Sequence, residues 1–131
     1  MEAVYRILVV DDDVELGDTI ATELEAAGGF VAEVVTTIQA AEEAVSAPTS
    51  DVSALLLDVG LPDGDGRELC ARLRKNGVSL PVIILSGMVQ ELDVVQGFDS
   101  GADAYVRKPA AASELIARLR NLLPHSSASA S

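Results

Sequence analysis

The sequence is poor in cysteine, in aromatic residues and in basic charge. Its one cysteine is Cys70, so no intramolecular disulfide can form, and a reducing compartment is expected. Aromatic residues make up 3% of the chain and tryptophan is absent, so the core must be aliphatic. The 21 acidic residues outnumber the 9 basic ones and give a formal net charge of −12. This charge disfavours direct binding to nucleic acid or to an anionic membrane surface.

Long hydrophobic segments are also missing. The apolar run at residues 7–10 is too short for a signal-peptide core, and no run approaches the length of a membrane span. We therefore expect a cytoplasmic protein without membrane contact. The length suits one domain, which we place at residues 1–124. Residues 125–131 contain mainly serine and alanine and are expected to form a disordered tail, or a linker to a C-terminal output domain of a longer parent protein.

Short apolar runs alternate with helical patterns along the whole chain. Runs with little polar alternation are typical of strands buried on both faces of a parallel sheet. Glu33 interrupts the second run, which predicts that this strand lies nearer an edge. Between the runs, apolar residues three or four positions apart predict five helices, the last two near residues 90–99 and 113–123. Five strands and five helices in alternation predict a doubly wound α/β sandwich. The runs occupy residues 7–10, 30–35, 54–57, 81–85 and 104–106.

The predicted strand ends carry polar and charged residues. In a parallel sheet, ligands bind beyond the carboxyl ends of the strands, so these side chains are expected to meet at one edge. The first run leads into three aspartates, the third into one aspartate, the fourth into a serine and the fifth into a lysine. Chance would rarely sort them in this way. The residues are Asp11, Asp12, Asp13, Asp58, Ser86 and Lys108.

A cluster of carboxylates needs a partner of opposite charge. Two carboxylates about 4 Å apart repel by roughly 4 kcal/mol at an effective dielectric constant near 20. Their pKa values must therefore rise, or a cation must neutralise them. Oxygen ligands without histidine or cysteine favour a hard cation, and a site that also admits a phosphoryl oxygen and waters favours Mg²⁺ over Ca²⁺. Lys108 and Ser86 are suited to bind phosphoryl oxygens.

Four segments together resemble response-regulator receiver domains of two-component signal transduction. The resemblance extends over residues 5–123, and four motifs in the same order and spacing are far more specific than one. It implies the CheY-like (βα)₅ fold, with a five-stranded parallel sheet in the flavodoxin-like order 2-1-3-4-5. The segments are ILVVDDD at residues 7–13, LLLDVGLP at residues 55–62 with Gly66, PVIILSG at residues 81–87 and GADAYVRKP at residues 101–109.

The resemblance also implies a phosphorylation site. Asp58 corresponds to the phosphoacceptor of the family. Asp11 and Asp12 would hold Mg²⁺ together with Asp58 and the backbone carbonyl of Gly60, and Mn²⁺ would substitute for Mg²⁺. The phosphoryl donor would be the phosphohistidine of a sensor histidine kinase or of a phosphotransfer protein. The domain would then act as a self-phosphorylating and self-dephosphorylating switch rather than as a turnover enzyme.

Three further residues receive roles from the same resemblance. Ser86 and Lys108 would bind phosphoryl oxygens, and Tyr105 would move inward when Ser86 is drawn towards the phosphate. This movement would reshape the face formed by the fourth helix, the fifth strand and the fifth helix. Asp13 falls outside the metal-binding pair and is expected to cap the first helix.

The sequence departs from the family pattern near the site. Ser86 replaces the more common threonine. Ala110 and Ala111 follow Lys108-Pro109 where a phenylalanine and a helix-capping residue are expected, which predicts a looser start to the last helix. Gly60 has no side chain to cover the acceptor, so we expect water to reach the acyl phosphate easily and its lifetime to be short.

Other functions fit parts of the sequence. A haloacid-dehalogenase-type phosphatase would use Asp11 as nucleophile and Asp13 as general acid, but it requires an acidic pair downstream of Lys108 and leaves Asp58 unexplained. A non-phosphorylated pseudo-receiver would serve only as an interaction module, although all its site positions are intact. The DGDG sequence at residues 63–66 departs from a calcium-binding loop at its later positions and instead predicts a tight turn before the third helix.

Overall fold

The structure is a computed structural model that describes residues 4–87 and 100–124. Its strands are β1 (Tyr5–Val10), β2 (Phe30–Val35), β3 (Val52–Asp58), β4 (Gly60–Leu61), β5 (Gly64–Asp65), β6 (Val82–Ser86) and β7 (Ala104–Arg107). Within the described ranges the helices are α1 (Val14–Ala27), α2 (Ile38–Ser46), α3 (Gly66–Lys75) and, as the C-terminal helix, α4 (Ala112–Leu122). The helix predicted near residues 90–99 and the tail at residues 125–131 lie outside the described residues.

Five of the strands form one parallel sheet in the order β2-β1-β3-β6-β7. Because β6 and β7 are the fourth and fifth strands of this sheet along the chain, the order 2-1-3-4-5 and the doubly wound architecture are confirmed. β2 lies at an edge and Glu33 is exposed on it, as its interrupted pattern predicted. The other two strands, β4 and β5, form a small antiparallel hairpin that the sequence patterns did not predict.

Aliphatic side chains fill both faces of the sheet. In β1, Ile7 and Val9 belong to one buried cluster, whereas Leu8 and Val10 belong to the other. This alternation explains the continuous apolar runs, because a strand between two helical layers buries every side chain. Cys70 lies fully buried in the second cluster. The first cluster includes Ile20 and Leu24 of α1 with Leu115 and Leu119 of α4, and the second includes Val45 of α2 with Leu69 and Leu73 of α3.

Local capping sets the ends of α1 and distinguishes it from α4. The Oδ1 atom of Asp13 accepts a hydrogen bond of 3.0 Å from the amide of Leu16, which confirms the predicted cap. Gly28 ends α1 with a φ of 86°, a conformation that favours glycine. At the start of α4, Ala111 makes no side-chain capping bond, so the expected cap is indeed missing.

Across residues 4–87 and 100–124, the structure contains no helix with both the length and the apolar character that crossing a bilayer requires.

Candidate functional site

Four neighbouring strands bring polar side chains to the carboxyl edge of the sheet. Asp11 follows β1, Asp58 ends β3, Ser86 ends β6 and Lys108 follows β7. The strands are adjacent and in close register, since Asp58 pairs with Leu85 and Ser86 pairs with Arg107. These side chains therefore lie at neighbouring strand ends, although they are up to about a hundred positions apart in the sequence.

Three carboxylates form the centre of this edge. Asp11, Asp12 and Asp58 each offer one oxygen, and these oxygens lie within 4.8 Å of one another. Asp11 is 1% exposed and Asp58 is 8% exposed, whereas Asp12 stands in solvent. The cluster is therefore buried on one side and open on the other, which gives a ligand access to it.

One ammonium group faces these carboxylates. The Nζ atom of Lys108 lies 2.7 Å from Oδ2 of Asp11 and 3.2 Å from Oδ1 of Asp58. The backbone amide of Lys108 donates a 2.8 Å hydrogen bond to the carbonyl of Ser86, which fixes the lysine beside the end of β6. The peptide bond between Lys108 and Pro109 is cis. A single ammonium cannot balance three carboxylates, so negative charge remains in excess when all three are ionised.

The pKa values of Asp58 and Lys108 reflect this excess of negative charge. Burial raises the pKa of Asp58 above its ordinary value, and the nearby charges of Asp11 and Asp12 raise it further against the lowering effect of Lys108. Burial alone would lower the pKa of Lys108, but its hydrogen bond with Asp11 and the charges of Asp58 and Asp11 together raise it. The lysine stays protonated, while the cluster as a whole favours the arrival of further positive charge.

Backbone contacts fix the two buried aspartates. The Oδ1 atom of Asp11 accepts a 3.0 Å hydrogen bond from the amide of Asp13, so the residue that caps α1 also orients the carboxylate before it. Behind Asp58, the first residue of α3 is Gly66, and a Cβ atom there would lie 2.1 Å from the carbonyl oxygen of Asp58. Glycine is required at this position because α3 starts against the backbone of the site. The structure thus gives a physical reason for the glycine at position 66, which the sequence analysis had noted only as part of the family resemblance.

Gly60 and Ser86 lie around the central cluster. Gly60 belongs to β4, is exposed, and has no atom within 4 Å of the position that a Cβ atom would occupy. The space beside Gly60 is therefore open. Ser86 is buried, with 6% of its surface exposed, at the end of β6.

Tyr105 is the predicted switch residue, and its surroundings differ from those of the acid cluster. It lies half-buried on β7, packed against the second core cluster. Its hydroxyl is buried and has no hydrogen-bond partner among the described residues. Within that part of the chain, no hydrogen bond or ion pair joins Tyr105 to the acid cluster, so its role as a switch stays a prediction.

The DGDG sequence at residues 63–66 comprises the second residue of the β4–β5 turn, strand β5 and the first residue of α3, so the predicted turn before α3 is present at residues 62–63. Asp65 caps α3 through a 2.8 Å hydrogen bond from the amide of Arg67, and its carboxylate also pairs with the Arg67 guanidinium at 2.6 Å. Asp63 was missed as a structural residue. Its carboxylate accepts hydrogen bonds from the amides of Ile38 and Gln39 at 2.8 and 3.1 Å. An aspartate before a helical pattern signals the Asp65 cap, but no local signal predicts a bond to a helix 25 positions away.

Comparisons with known proteins agree with this fold and site. The sequence model of the response regulator receiver domain matches residues 7–120. The transcriptional regulatory protein BasR of Escherichia coli is 42% identical over 120 residues, which covers 90% of this chain and 52% of that protein. The DNA-binding dual master transcriptional regulator RpaA of Synechocystis is 40% identical over 120 residues, which covers 90% of this chain and 48% of that protein.

A solved structure extends the comparison to three dimensions. The receiver domain of the Francisella response regulator 1452 matches with a TM-score of 0.83 and 32% identity, and the match covers 90% of this chain and 95% of that one. The chain spans about half the length of the curated relatives it matches. Taken together, the parallel sheet, the acid cluster and these similarities establish that the chain belongs to the response-regulator receiver-domain family and is a receiver domain of a two-component response regulator.

Proposed function

We propose that this domain accepts a phosphoryl group on Asp58 while Mg²⁺ is bound by Asp11, Asp12, Asp58 and the backbone carbonyl of Gly60. The observation that carries the proposal is the charge arrangement at the carboxyl edge. Three carboxylate oxygens lie within 4.8 Å of one another, and Lys108 contacts two of the three groups. Such a cluster is costly to keep in a fold unless a cation and an anionic ligand complete it.

The donor set fits a hard divalent cation. Its side-chain ligands are all carboxylate oxygens, and one of the three groups faces solvent, which leaves room for waters and for a phosphoryl oxygen. Mn²⁺ prefers similar ligands and is expected to substitute. When bound, the ion supplies positive charge that offsets the carboxylates and polarises a phosphoryl oxygen.

Asp58, Lys108 and Ser86 have separate roles in the phosphoryl transfer. An oxygen of Asp58 attacks the phosphorus of a phosphohistidine in line, and the O–P bond forms as the P–N bond breaks and the imidazole leaves. The ammonium of Lys108, already 3.2 Å from Asp58, offsets the charge on the phosphoryl oxygens, and the Ser86 hydroxyl donates to another of them. The partner that provides the phosphohistidine is a sensor histidine kinase or a phosphotransfer protein.

The product changes the local charge and thereby biases a switch. An acyl phosphate adds about one to two negative charges and three acceptor oxygens at Asp58. Ser86 moves to meet these oxygens, and Tyr105 enters the space that Ser86 vacates. The hydroxyl of Tyr105, which has no hydrogen-bond partner within residues 4–87 and 100–124, supports this step, because a buried hydroxyl without a hydrogen bond gains stability by moving to a place where it finds one.

The domain reports to other parts of a signalling system rather than turning over a substrate. We assign it to residues 1–124, with residues 125–131 as a tail or as a linker to an output domain of the parent protein. The domain itself contacts neither nucleic acid nor membrane. The open space beside Gly60 admits water to the acyl phosphate, so the phosphorylated state reverts quickly on its own. A half-life of many hours in the absence of a phosphatase would contradict this last point.

Phosphorylation by acetyl phosphate tests the proposal. The wild-type domain is incubated with and without Mg²⁺, and intact mass and peptide mapping follow the product. We expect a gain of one phosphoryl group on Asp58 that disappears with EDTA and in Asp58→Asn. Asp51→Asn is the matched control, because Asp51 makes an exposed ion pair with Arg6 before β3. A phosphoryl group that persists in Asp58→Asn, or that forms equally with EDTA, would refute the proposal.

The same experiment separates the two alternatives. A pseudo-receiver would remain unmodified under every condition. A haloacid-dehalogenase-type phosphatase would turn over a phosphomonoester through Asp11 and would survive the loss of Asp58. The structure disfavours this second reading, because the carboxylate of Asp13, the required general acid, is engaged as the cap of α1.

A further inference from the structure

The β4–β5 hairpin carries Gly60 and has little structure of its own. Each of its strands contains two residues, and its ladder consists of the pairs Gly60–Asp65 and Leu61–Gly64. An isolated two-stranded hairpin is marginally stable at best in water, and this one is shorter than most. Its position next to the acid cluster therefore depends on what holds it from outside.

A polar contact anchors the turn of the hairpin to α2. Oδ1 of Asp63 accepts a 2.8 Å hydrogen bond from the amide of Ile38, and Oδ2 accepts a 3.1 Å bond from the amide of Gln39. These are the first two residues of α2, whose amides have no partner within the helix. Both oxygens of one carboxylate are thus committed to the end of one helix.

The other amides in the first turn of α2 have local partners. The amide of Ala40 donates to Oγ1 of Thr37, the residue that caps the helix, and the amide of Ala41 donates to the Thr37 carbonyl. Thr37 therefore serves the third and fourth amides, while Asp63 serves the first two. The helix α2 therefore has its own cap in Thr37, and the Asp63 contact is a separate link between the hairpin and α2.

Packing next to this contact is close. Gly64 has a φ of 150°, and a Cβ atom there would lie 3.0 Å from Cδ1 of Ile38. Leu61 is 8% exposed and belongs to the same core cluster as Ile38. The two N–H bonds lower the pKa of Asp63, so its carboxylate is ionised at neutral pH and interacts favourably with the positive end of α2. One apolar and one polar contact thus fix the hairpin against α2.

We propose that Asp63 is a positioning residue for the metal site, which holds the hairpin on the N-terminus of α2 so that the Gly60 carbonyl stays in place. The inference rests on the proposed function, which assigns that carbonyl to Mg²⁺. Outer contacts of this kind orient the metal ligands, and their loss typically lowers metal affinity by about 10- to 100-fold. Asp63 itself touches neither the cation nor the phosphoryl group.

The test compares three variants of the full chain. Asp63→Ala removes both hydrogen bonds, and Asp63→Asn retains one acceptor oxygen and so restores part of the contact. Thr37→Ala is the matched control, because it removes a capping bond from the same helix without touching the hairpin. Isothermal titration calorimetry gives the Mg²⁺ affinity of each variant. Amide hydrogen exchange at Ile38 and Gln39 reports the contact itself without any metal.

We expect Asp63→Ala to raise the dissociation constant for Mg²⁺ about tenfold, the lower end of the effect of outer contacts on metal affinity. Asp63→Asn should raise it less, and Thr37→Ala should leave it close to the wild-type value. At saturating Mg²⁺, phosphorylation of Asp63→Ala by acetyl phosphate should approach the wild-type rate. Exchange at Ile38 and Gln39 should accelerate in Asp63→Ala even in EDTA.

Other results would overturn the inference. Equal losses of Mg²⁺ affinity in Asp63→Ala and Thr37→Ala would show that the capping of α2, rather than the link to the hairpin, matters. Wild-type affinity in both Asp63 variants, with exchange accelerated, would show that the contact exists without positioning the metal site. Either result leaves the proposed function intact if the wild-type chain binds Mg²⁺ and is phosphorylated. A wild-type chain that does neither would refute the proposed function and this inference with it.

Discussion

The carboxyl and amino edges of the sheet differ in how completely their charged side chains are paired. At the carboxyl edge, three carboxylates are gathered beside the ammonium of Lys108, which contacts two of them. At the amino edge, before β6 and β7, the guanidinium of Arg74 donates to the carbonyls of Gly101, Val78 and Leu80 at 2.8 to 2.9 Å. It also pairs with the Asp103 carboxylate at 3.0 Å. The carboxyl edge leaves negative charge uncompensated, whereas at the amino edge every guanidinium nitrogen of Arg74 has an acceptor.

This difference in pairing indicates that the amino edge contributes to stability and the carboxyl edge to ligand binding. Polar groups that are fully paired within the protein stabilise the fold but are not available to a ligand. Groups that are gathered without enough partners destabilise the fold and mark the place where a ligand would supply what is missing. The comparison therefore predicts opposite effects of mutation at the two edges.

The largest effect is expected at the amino edge. Arg74→Met keeps the length of the side chain but removes its hydrogen bonds to three carbonyls and a carboxylate. We expect the free energy of unfolding to fall by about 3 kcal/mol, since hydrogen bonds of charged groups contribute about 1.5 to 3 kcal/mol each and part of this is recovered from water. Urea unfolding measures the change.

Arg72→Met provides the control for this variant. Arg72 lies on the same helix and pairs with Glu42 at 3.0 Å, but its side chain is 47% exposed, against 23% for Arg74. The loss there should stay below about 1 kcal/mol, the usual limit for exposed ion pairs. Equal losses in the two variants would show that the network at the amino edge contributes nothing beyond a surface contact.

A smaller effect of opposite sign is expected at the carboxyl edge. Burial and the charges of Asp11 and Asp12 raise the pKa of Asp58 in the folded state, so its ionised form destabilises the fold at neutral pH. Asp58→Asn should therefore raise the free energy of unfolding by on the order of 1 kcal/mol in EDTA, a typical size for a single substitution. Urea unfolding of Asp58→Asn, with Asp51→Asn as the control, gives the sign of this change. A clear loss of stability in Asp58→Asn would contradict the difference drawn between the two edges.

The smallest effect concerns the start of α4, also at the carboxyl edge. Ala111 occupies the capping position without a side-chain hydrogen bond, whereas Thr37 caps α2 in the equivalent place. Ala111→Ser should stabilise the domain by about 0.5 to 1 kcal/mol, because serine can accept a bond from the first turn of the helix. Thermal unfolding detects a gain of this size, and an unchanged midpoint would mean that water already serves these amides.

Much of the carboxyl edge could be predicted because it follows from local patterns. An apolar run that stops at Asp58 or Ser86 defines a strand end, and parallel strands bring such ends to one side of the sheet. The cap formed by Asp13 is equally local, since the side chain and the amide of Leu16 are three positions apart. The strand order, by contrast, was available only through the resemblance to a family.

The amino edge and the hairpin could not be predicted, because their contacts join distant parts of the chain. Arg74 and Asp103 are 29 positions apart, and nothing near either residue indicates the other. Arg74 reads in the sequence as one basic residue among several at the end of a helix. Its importance depends on the loops that fold back to it, and these are fixed only once the sheet has formed.

The most direct test of the account is the effect of Mg²⁺ on the stability of the wild-type domain and of Asp58→Asn. At a Mg²⁺ concentration about ten times the dissociation constant, binding should stabilise the wild type by about 1.4 kcal/mol. Asp58→Asn lacks one of the three carboxylates and should gain much less, so its stability advantage in EDTA should shrink or reverse. Equal responses of the two proteins to Mg²⁺, or no response in the wild type, would contradict the claim that the uncompensated carboxylates form a cation site.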